Sequence, residues 1–237
     1  MPAMDVLQKI PRLKLERSRQ TAPQVFEALR ELIVSVVLEP GTVLPRAELA
    51  AHYGISQTPI RDALMRLGED GLVDIFPQHA TVVSRIDTTA ALQAHTLRRA
   101  IELEILHTLC ALPPDLLAAL VQRLQGHLRR QREALEPLDV PALSLADHAF
   151  HREMYEAAGL GPLWDLVRQR SGHVDRLRRL NLPAKGKAQA IVRDHAAILA
   201  ALAKGDAPAA QQALRQHLAG TLSFVSEIVQ RYPDWTV

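Results

Sequence analysis

The sequence predicts a mainly α-helical protein of two domains. The first has three helices and a small β-hairpin, and the second is an antiparallel all-α bundle of about six helices. Two observations predict this fold. Apolar residues recur at intervals of three and four along most of the 237 residues. Two short runs rich in β-branched residues lie within residues 72–84, where a turn separates them, and strand signals disappear after Ile86.

The first helix of the N-terminal domain is predicted to begin at Thr21. Thr21-Ala22-Pro23-Gln24 matches a capping box, with a hydroxyl at the cap and a glutamine three residues later. Apolar residues then recur as far as Val37, and Glu39-Pro40-Gly41 ends the pattern. Residues 1–20, which carry five Lys and Arg residues, are therefore assigned to a basic N-terminal arm, or to an ordinary solvated terminus.

Two more helices and the hairpin follow. A short helix is predicted over residues 45–53 with Gly54 as its left-handed cap, and Ser56 begins the third helix. The two strands and the turn between them are predicted at residues 72–76, 81–84 and 77–80. Three helices followed by a hairpin are the elements of a winged helix-turn-helix, which we assign to residues 21–86.

Residues 87–237 are predicted to be helical to the end. Breaks rich in proline, glycine and asparagine divide the helical pattern into six segments. The breaks lie at Pro113-Pro114, residues 137–141, residues 159–162, residues 181–183 and Gly205. Because short loops force neighbouring helices to reverse direction, we expect an antiparallel bundle.

Composition restricts the class of protein. The net charge is only +2, with 28 Lys and Arg against 26 Asp and Glu, so DNA contacts must come from local placement of charge. The single cysteine, Cys110, excludes an internal disulfide, and the first residues lack the apolar core of a signal peptide. Since no stretch reaches the ~18–20 uncharged apolar residues of a membrane span, we expect a soluble, cytoplasmic protein without a membrane partner.

The third helix is predicted to contact DNA. If its apolar face packs inward, Gln57, Thr58 and Arg61 lie together on the outer face of its amino-terminal end. There, free backbone N–H groups and the helix dipole favour a phosphate, while the first side chains reach base edges in the major groove. Arginine can bind guanine and glutamine can bind adenine through two hydrogen bonds each. These side chains could also be an ordinary solvated surface, but the surrounding turn and hairpin favour double-stranded DNA.

Residues 25–84 resemble the GntR family of bacterial transcription regulators. The resemblance rests on a proline-glycine turn, a short "ELA" helix, a recognition-helix motif and the segment that leads into the wing. These motifs are Pro40-Gly41, Glu48-Leu49-Ala50, Gly54-Ile55-Ser56-Gln57-Thr58-Pro59-Ile60-Arg61-Asp62-Ala63-Leu64 and Leu67-Gly68-Glu69-Asp70-Gly71-Leu72-Val73. The combination is highly specific for the family.

The resemblance implies roles for five residues. Gln57, Thr58 and Arg61 would contact bases or phosphates, His79 would contact the minor groove or the backbone, and Arg46 would contact a phosphate. The sequence departs from the family pattern in two places. The family usually has arginine at the position of Gln57 and a glycine at the wing tip, where Ala80 follows His79 here. A different operator sequence or affinity is therefore expected.

Four side chains of metal-binding type are predicted to face the interior of the C-terminal bundle. Asp147 and His151 lie one turn apart on an apolar helix face, and His195 and His217 lie in phase with apolar residues on two further helices. A single inward histidine is more often a satisfied core residue. Four such groups favour a divalent metal, since a cation offsets the cost of burying the carboxylate. The set suits zinc best, and also nickel, manganese or iron.

Residues 87–237 resemble the FCD group of the same family, named after the C-terminal domain of the fatty-acid regulator. The matching motifs are Leu97-Arg98-Arg99-Ala100-Ile101-Glu102, Asp147-His148-Ala149-Phe150-His151, Asp194-His195 followed by Ile198 and Leu199, and His217. The resemblance implies that Asp147, His151, His195 and His217 bind a metal beside a pocket for a small organic acid. Arg98 would pair with the carboxylate of this effector, although it could instead bridge Glu102 on its own helix.

The two resemblances together imply a homodimeric transcription regulator, most commonly a repressor, that binds a palindromic operator. A small carboxylate effector would control its affinity for the operator. One alternative is a metal-dependent enzyme acting on small carboxylates, but only Glu104-x-x-His107 fits a di-iron motif that must occur twice. Another is a helical module whose winged helix binds protein. We expect no catalytic activity, because no inward glutamate or serine–histidine pair offers a base or nucleophile.

Overall fold

The computed structural model describes residues 3–237, with side chains described for residues 6–220 and 223–237. It confirms the predicted fold class: a mainly helical chain with one antiparallel hairpin after the N-terminal helices. The helices are α1 Ala3–Lys9, α2 Thr21–Val34, α3 Arg46–Tyr53, α4 Gln57–Glu69, α5 Thr88–Cys110, α6 Pro114–Glu133, α7 Val140–Ala157, α8 Gly161–Arg170, α9 Gly172–Asn181, α10 Lys187–Leu202, α11 Ala207–Leu222 and α12 Val225–Arg231. The strands are β1 Val73–Phe76 and β2 Ala80–Val83.

The chain forms two compact units. The first contains the described residues up to Ala91 together with Arg170–Leu180 and Glu227–Val237, and the second contains Leu92–Gln169 and Asn181–Ser226. The predicted boundary at residue 86 therefore separates most of the two units. It places α9 and Glu227–Val237 in the predicted second domain, although they pack in the first unit.

In the first unit, α4 packs against α2 and α3 and leads into β1. Its apolar face is buried as predicted, with Ile60, Leu64 and Leu67 at most 1% exposed. Gly54 has a positive φ of 67° and ends α3, which is the left-handed cap expected from the sequence. This geometry fixes the entry of the chain into α4.

The start of α2 differs from the predicted capping box. Thr21 is already helical, and Gln20, which precedes it, makes no side-chain cap hydrogen bond. Gln24 instead reaches back along the chain. Its side-chain amide donates to the carbonyl oxygen of Glu16 at 3.0 Å, and its side-chain oxygen accepts from the backbone N–H of Glu16 at 2.8 Å. These bonds hold the preceding segment against the helix.

Residues preceding α2 are not a free arm along their whole length. Val6 and Ile10 are 3% and 2% exposed and belong to the apolar core of the first unit, where α1 packs against α3. Residues 1–20 were assigned to an arm from their charge alone. The four-residue spacing of Val6 and Ile10 indicates a helix with one apolar face, and this signal was not used.

The wing is a regular hairpin. Val73 pairs with Val83 and Phe76 with Ala80, and the backbone of residues 41–44 bonds to the free edge of β2. Ala80 is the first residue of β2, so it does not occupy the tip. Gln78 occupies the tip and has a positive φ of 60°, so it stands at the position where glycine is favoured.

The second unit is helical throughout. In it α6 packs against α7 and α10, and α10 packs against α11. Its apolar core includes Leu106, Leu124, Phe150, Ile198 and Leu214, each fully buried. Short interruptions divide two of the six predicted helices, one at Ser171 between α8 and α9 and one at residues 223–224 between α11 and α12.

A search of the described helices for a bilayer span found none with the necessary length and apolarity.

Candidate DNA-binding surface and metal centre

The first turns of α4 present polar side chains to solvent. Gln57, Thr58 and Arg61 are all exposed, because the opposite face of the helix is held in the core by Ile60 and Leu64. The Arg61 guanidinium lies 3.3 Å from the carboxylate of Asp62, and both side chains are about half exposed. A solvated ion pair of this kind is weak, so the guanidinium can exchange this partner for a phosphate or a base.

Arg46 and His79 lie on one surface feature. Both are exposed, and both line a shallow depression of about 210 Å³ between the start of α3 and the wing tip. Gln78 and Phe76 line it as well, and Phe76 is 53% exposed. The structure thus brings the two positions together although they are 33 residues apart in the chain. Sequence reasoning did not single out Phe76, which looked like an ordinary strand residue.

The four predicted metal-binding side chains meet at one point inside the second unit. Asp147 and His151 come from α7, His195 from α10 and His217 from α11, and all are buried. One ligand atom from each lies within 4.8 Å of all the others. The Nε2 atom of His195 is 3.2 Å from Nε2 of both His151 and His217, and 3.7 Å from a carboxylate oxygen of Asp147.

The other ring nitrogen of each histidine, Nδ1, lies near a side-chain oxygen atom. Nδ1 of His195 is 2.7 Å from the side-chain oxygen of Gln131, whose amide N–H₂ donates to the carbonyl oxygen of Ala146 and so fixes the amide orientation. Nδ1 of His151 is 3.0 Å from Oε2 of Glu102. Nδ1 of His217 is 3.7 Å from a carboxylate oxygen of Asp194. The side-chain oxygen of Gln131 favours the tautomer of His195 that carries its proton on Nδ1, and that tautomer leaves a lone pair on Nε2.

This arrangement fits a bound cation. Nε2 atoms of three rings converge at 3.2 Å from one of them, and a cation bound between them would take up all three lone pairs. Two neighbouring nitrogens bound to one metal at about 2.0–2.1 Å are separated by roughly 2.8–3.4 Å across octahedral and tetrahedral geometry. The observed separations of 3.2 Å fall within that range. The ring of His195 also stacks on Phe150 at 4.5 Å between centroids, which restrains its orientation.

The pKa values of two side chains at the centre differ strongly from their usual values. Burial favours the neutral form of His151 and lowers its pKa to about 4, with Arg98 acting in the same direction. Burial also opposes ionisation of Glu102, but the Arg98 and His151 side chains outweigh this effect and bring its pKa to about 2. The centre therefore has a neutral imidazole, a carboxylate and a guanidinium side by side, each almost fully buried.

Arg98 forms the bridge that the sequence left open as an alternative. Its Nε donates to Oε1 of Glu102 at 2.7 Å, one turn along α5, and the side chain is only 9% exposed. Its Nη2 atom is buried and has no hydrogen-bond partner among the described residues. An ion pair with Glu102 therefore occupies one side of the guanidinium and leaves a donor on the other.

Sequence reasoning missed the residues that lie beside the predicted ligands. Glu102 was considered only as a partner of Arg98, and the statement that no glutamate faces inward was wrong, because Glu102 is fully buried. Asp194 was considered only as part of a family motif, and Gln131 was not considered. Gln131 lies 64 residues from His195 and carried no signal.

The fold and these two sites define a class of protein: one with a winged helix-turn-helix joined to a helical domain that contains a buried aspartate–histidine centre. Family models agree with this description. Residues 21–83 match the model described as "Bacterial regulatory proteins, gntR family", and residues 93–220 match the model of the FCD domain.

Comparison with individual proteins gives the same result. A protein of Streptomyces ambofaciens described as an uncharacterized HTH-type transcriptional regulator in an unstable DNA locus is 35% identical over 91% of this chain and 89% of its own length. The HTH-type transcriptional repressor RspR of Escherichia coli is 28% identical over 94% of this chain and 96% of its own length. The solved structure of E. coli McbR/YncC, 21% identical, has the same fold, with a TM-score of 0.73 over 88% of this chain and 98% of that one.

The chain belongs to the GntR family of transcriptional regulators and carries an FCD domain. It is therefore a DNA-binding regulator and not an enzyme, as the sequence predicted.

Proposed function

We propose that this regulator is a cytoplasmic homodimeric repressor whose affinity for a palindromic operator is controlled by a small organic acid bound beside a metal ion. The observation that carries the proposal is the convergence of three imidazole nitrogens and a carboxylate inside the FCD domain. Repression is supported by relatives named as repressors, among them RspR and the gluconate operon repressor of Bacillus subtilis, the latter 26% identical over 58% of this chain.

On the DNA side, the first turn of α4 enters the major groove. Gln57, Thr58 and Arg61 supply base and phosphate contacts from the exposed face of that turn. Arg46 and His79, which line a common depression, contact the adjoining backbone or minor groove. A two-fold dimer presents two copies of this surface, which is why the operator is expected to be palindromic.

On the sensor side, Asp147, His151, His195 and His217 hold a divalent cation. Zinc suits the mixed imidazole and carboxylate set best, and nickel, manganese and iron also suit it. When bound, the metal supplies a positive centre that a carboxylate can coordinate. The Nη2 donor of Arg98 offers the second anchor for such an acid.

Control of DNA binding requires that the acid bind two states of the protein unequally. If the state with low operator affinity binds the acid more tightly, operator affinity falls by the ratio of the two acid affinities. This repression relieved by ligand is the arrangement that we propose.

The DNA side can be tested by selecting genomic fragments with the wild-type protein and measuring affinity for the selected fragment. We expect sequence-selective, salt-sensitive retention. Arg61→Ala should weaken binding by about 1–3 kcal/mol, roughly 5- to 150-fold, with metal content unchanged. Arg152→Ala, which removes an exposed arginine from α7, is the control and should bind as wild type does. Equal affinities of all three proteins would contradict the assignment of α4.

A further inference from the structure

We propose that Glu102 is a positioning residue that links Arg98 to the metal centre by orienting His151. Through it, an anion at Arg98 and a cation at the four ligand groups influence each other's affinity. The inference rests on the proposed function, because it assumes that the centre binds a metal. It adds a specific route between the two parts of the sensor site.

The link consists of consecutive short contacts. Glu102 is fully buried, and its two oxygens have different partners. Oε1 accepts from Nε of Arg98 at 2.7 Å, and Oε2 lies 3.0 Å from Nδ1 of His151. On the other side of that ring, Nε2 of His151 lies 3.2 Å from Nε2 of His195. One carboxylate thus separates the guanidinium from a ligand ring.

A carboxylate is required at this position because both neighbours donate. Nε of Arg98 always carries hydrogen, and Nδ1 of His151 must carry it if Nε2 is to bind a metal. A glutamine at residue 102 has one accepting oxygen and one donating nitrogen. Whichever way its amide turns, a donor faces either Arg98 or His151. In the second case the ring is driven to the tautomer that cannot bind a metal through Nε2.

Arg98 makes the link responsive to a ligand. Its Nη2 is buried without a hydrogen-bond partner among the described residues, so this donor is available to an anion that enters the centre. Such an anion shares the positive charge that otherwise acts on Glu102 and Asp147. Its arrival therefore changes how strongly Glu102 holds His151, and by linkage metal binding changes the affinity for the anion equally.

The test measures the affinity for zinc alone by competition with a chelator, using the full-length protein. Glu102→Gln should lower zinc affinity about 10- to 100-fold, the usual effect of removing a residue that orients a metal ligand. Glu104→Gln is the matched control, because Glu104 lies on the same helix and is exposed. Glu102→Asp keeps the charge but shortens the reach, so it should fall between wild type and Glu102→Gln.

Arg98→Met supplies a second readout. Arg98 is not one of the four proposed ligands, yet its removal should change zinc affinity, and the change should be smaller in the Glu102→Gln background than in the wild-type background. Melting temperatures of the metal-free proteins separate this role from a structural one. A structural residue would lower the metal-free melting temperature without changing zinc affinity.

The zinc affinities distinguish failure of the link through Glu102 from failure of the metal centre. If wild type and Glu104→Gln bind zinc and Glu102→Gln binds it equally well, the link through Glu102 is refuted while the metal centre stands. If Glu102→Gln does not fold, the same comparison with Glu102→Asp decides. Failure of the wild type to bind zinc, nickel, manganese or iron would overturn the proposed function and this inference together.

Discussion

Val36 adopts a backbone conformation that β-branched residues rarely tolerate. Its φ is 61°, in the left-handed region, directly after the residue that caps α2. The backbone N–H groups of Val36 and Leu38 bond to carbonyl oxygens of the last turn of α2, so this conformation closes the end of the helix. Glycine is the residue usually found at such a position. The turn is therefore made at an energetic cost that glycine would avoid.

Val36→Gly should increase the free energy of unfolding by about 1 kcal/mol. Relief of left-handed strain contributes roughly 1–2 kcal/mol, and the greater freedom of glycine in the unfolded chain offsets part of it. Urea denaturation of the full-length protein measures the difference.

Val37→Gly is the control, because Val37 is exposed and does not have a positive φ. It should be neutral or destabilising by up to about 1 kcal/mol. If the two glycine variants lose stability equally, Val36 is not under the strain described.

Individual residues were predictable where their phase on a helix determined their direction. Asp147, His151, His195 and His217 were placed inward by their spacing from apolar neighbours, and the structure brings all four together. Their partners were less predictable. Which amide or carboxylate meets Nδ1 depends on the packing between helices, and a single sequence does not contain that information. Likewise, nothing in Val36 itself signals a left-handed conformation.

Helix α9 shows the same limit at the scale of an element. Its apolar and polar residues predicted a helix, but periodicity does not tell which core a helix joins. Arg176, fully buried, donates to the carbonyl oxygen of Ser84 at 2.7 Å and to Nδ1 of His173 at 2.9 Å. The backbone N–H of Asp87 also donates to that Nδ1, at 2.9 Å. These contacts attach α9 to the base of the wing within the first unit.

The histidine of α9 is held neutral by this arrangement. Because Nδ1 of His173 accepts two hydrogen bonds, a proton there would break both and place a positive charge against Arg176. Burial and the neighbouring Arg176 accordingly lower the pKa of His173 to about 4. In the unfolded chain the pKa is about 6.5, so between these values the unfolded state binds more protons than the folded state.

We therefore expect the free energy of unfolding to fall at acidic pH. The contribution of His173 is fully present above about pH 6.5 and is lost as the pH falls through 4. The loss amounts to roughly 2–3 kcal/mol of unfolding free energy at pH 4. The free energy of unfolding, measured by urea denaturation between pH 4 and 7.5, should depend less steeply on pH for His173→Gln than for the wild type. His107→Gln, at an exposed position near the end of α5, should retain the wild-type slope. Parallel slopes for all three proteins would contradict this account of His173.

At the scale of the whole molecule, the chain does not divide at one point into a DNA-binding and a sensing domain. It leaves the second unit after Gln169, contributes α9 to the first unit and returns at Asn181. Residues 235–237 also belong to the first unit, where the backbone of Val237 donates to Ile86 at 3.0 Å. The sequence predicted the fold class and a single boundary at residue 86. The discontinuous composition of the two units was not predictable, because it depends on contacts between residues about 90 to 150 positions apart.

The chain connection between the two units is short at this point. Helix α10 carries His195, and residues 182–186 join it directly to α9.

Native mass spectrometry of the intact protein shows whether the four buried side chains bind a metal. We expect a dimer that carries two metal ions, one per chain, when zinc, nickel or manganese is supplied. We also expect that Asp147→Ala with His195→Ala gives a dimer of the same subunits without metal. A wild-type protein that remains metal-free under the same conditions would show that the three imidazoles and the carboxylate form only a hydrogen-bonded network.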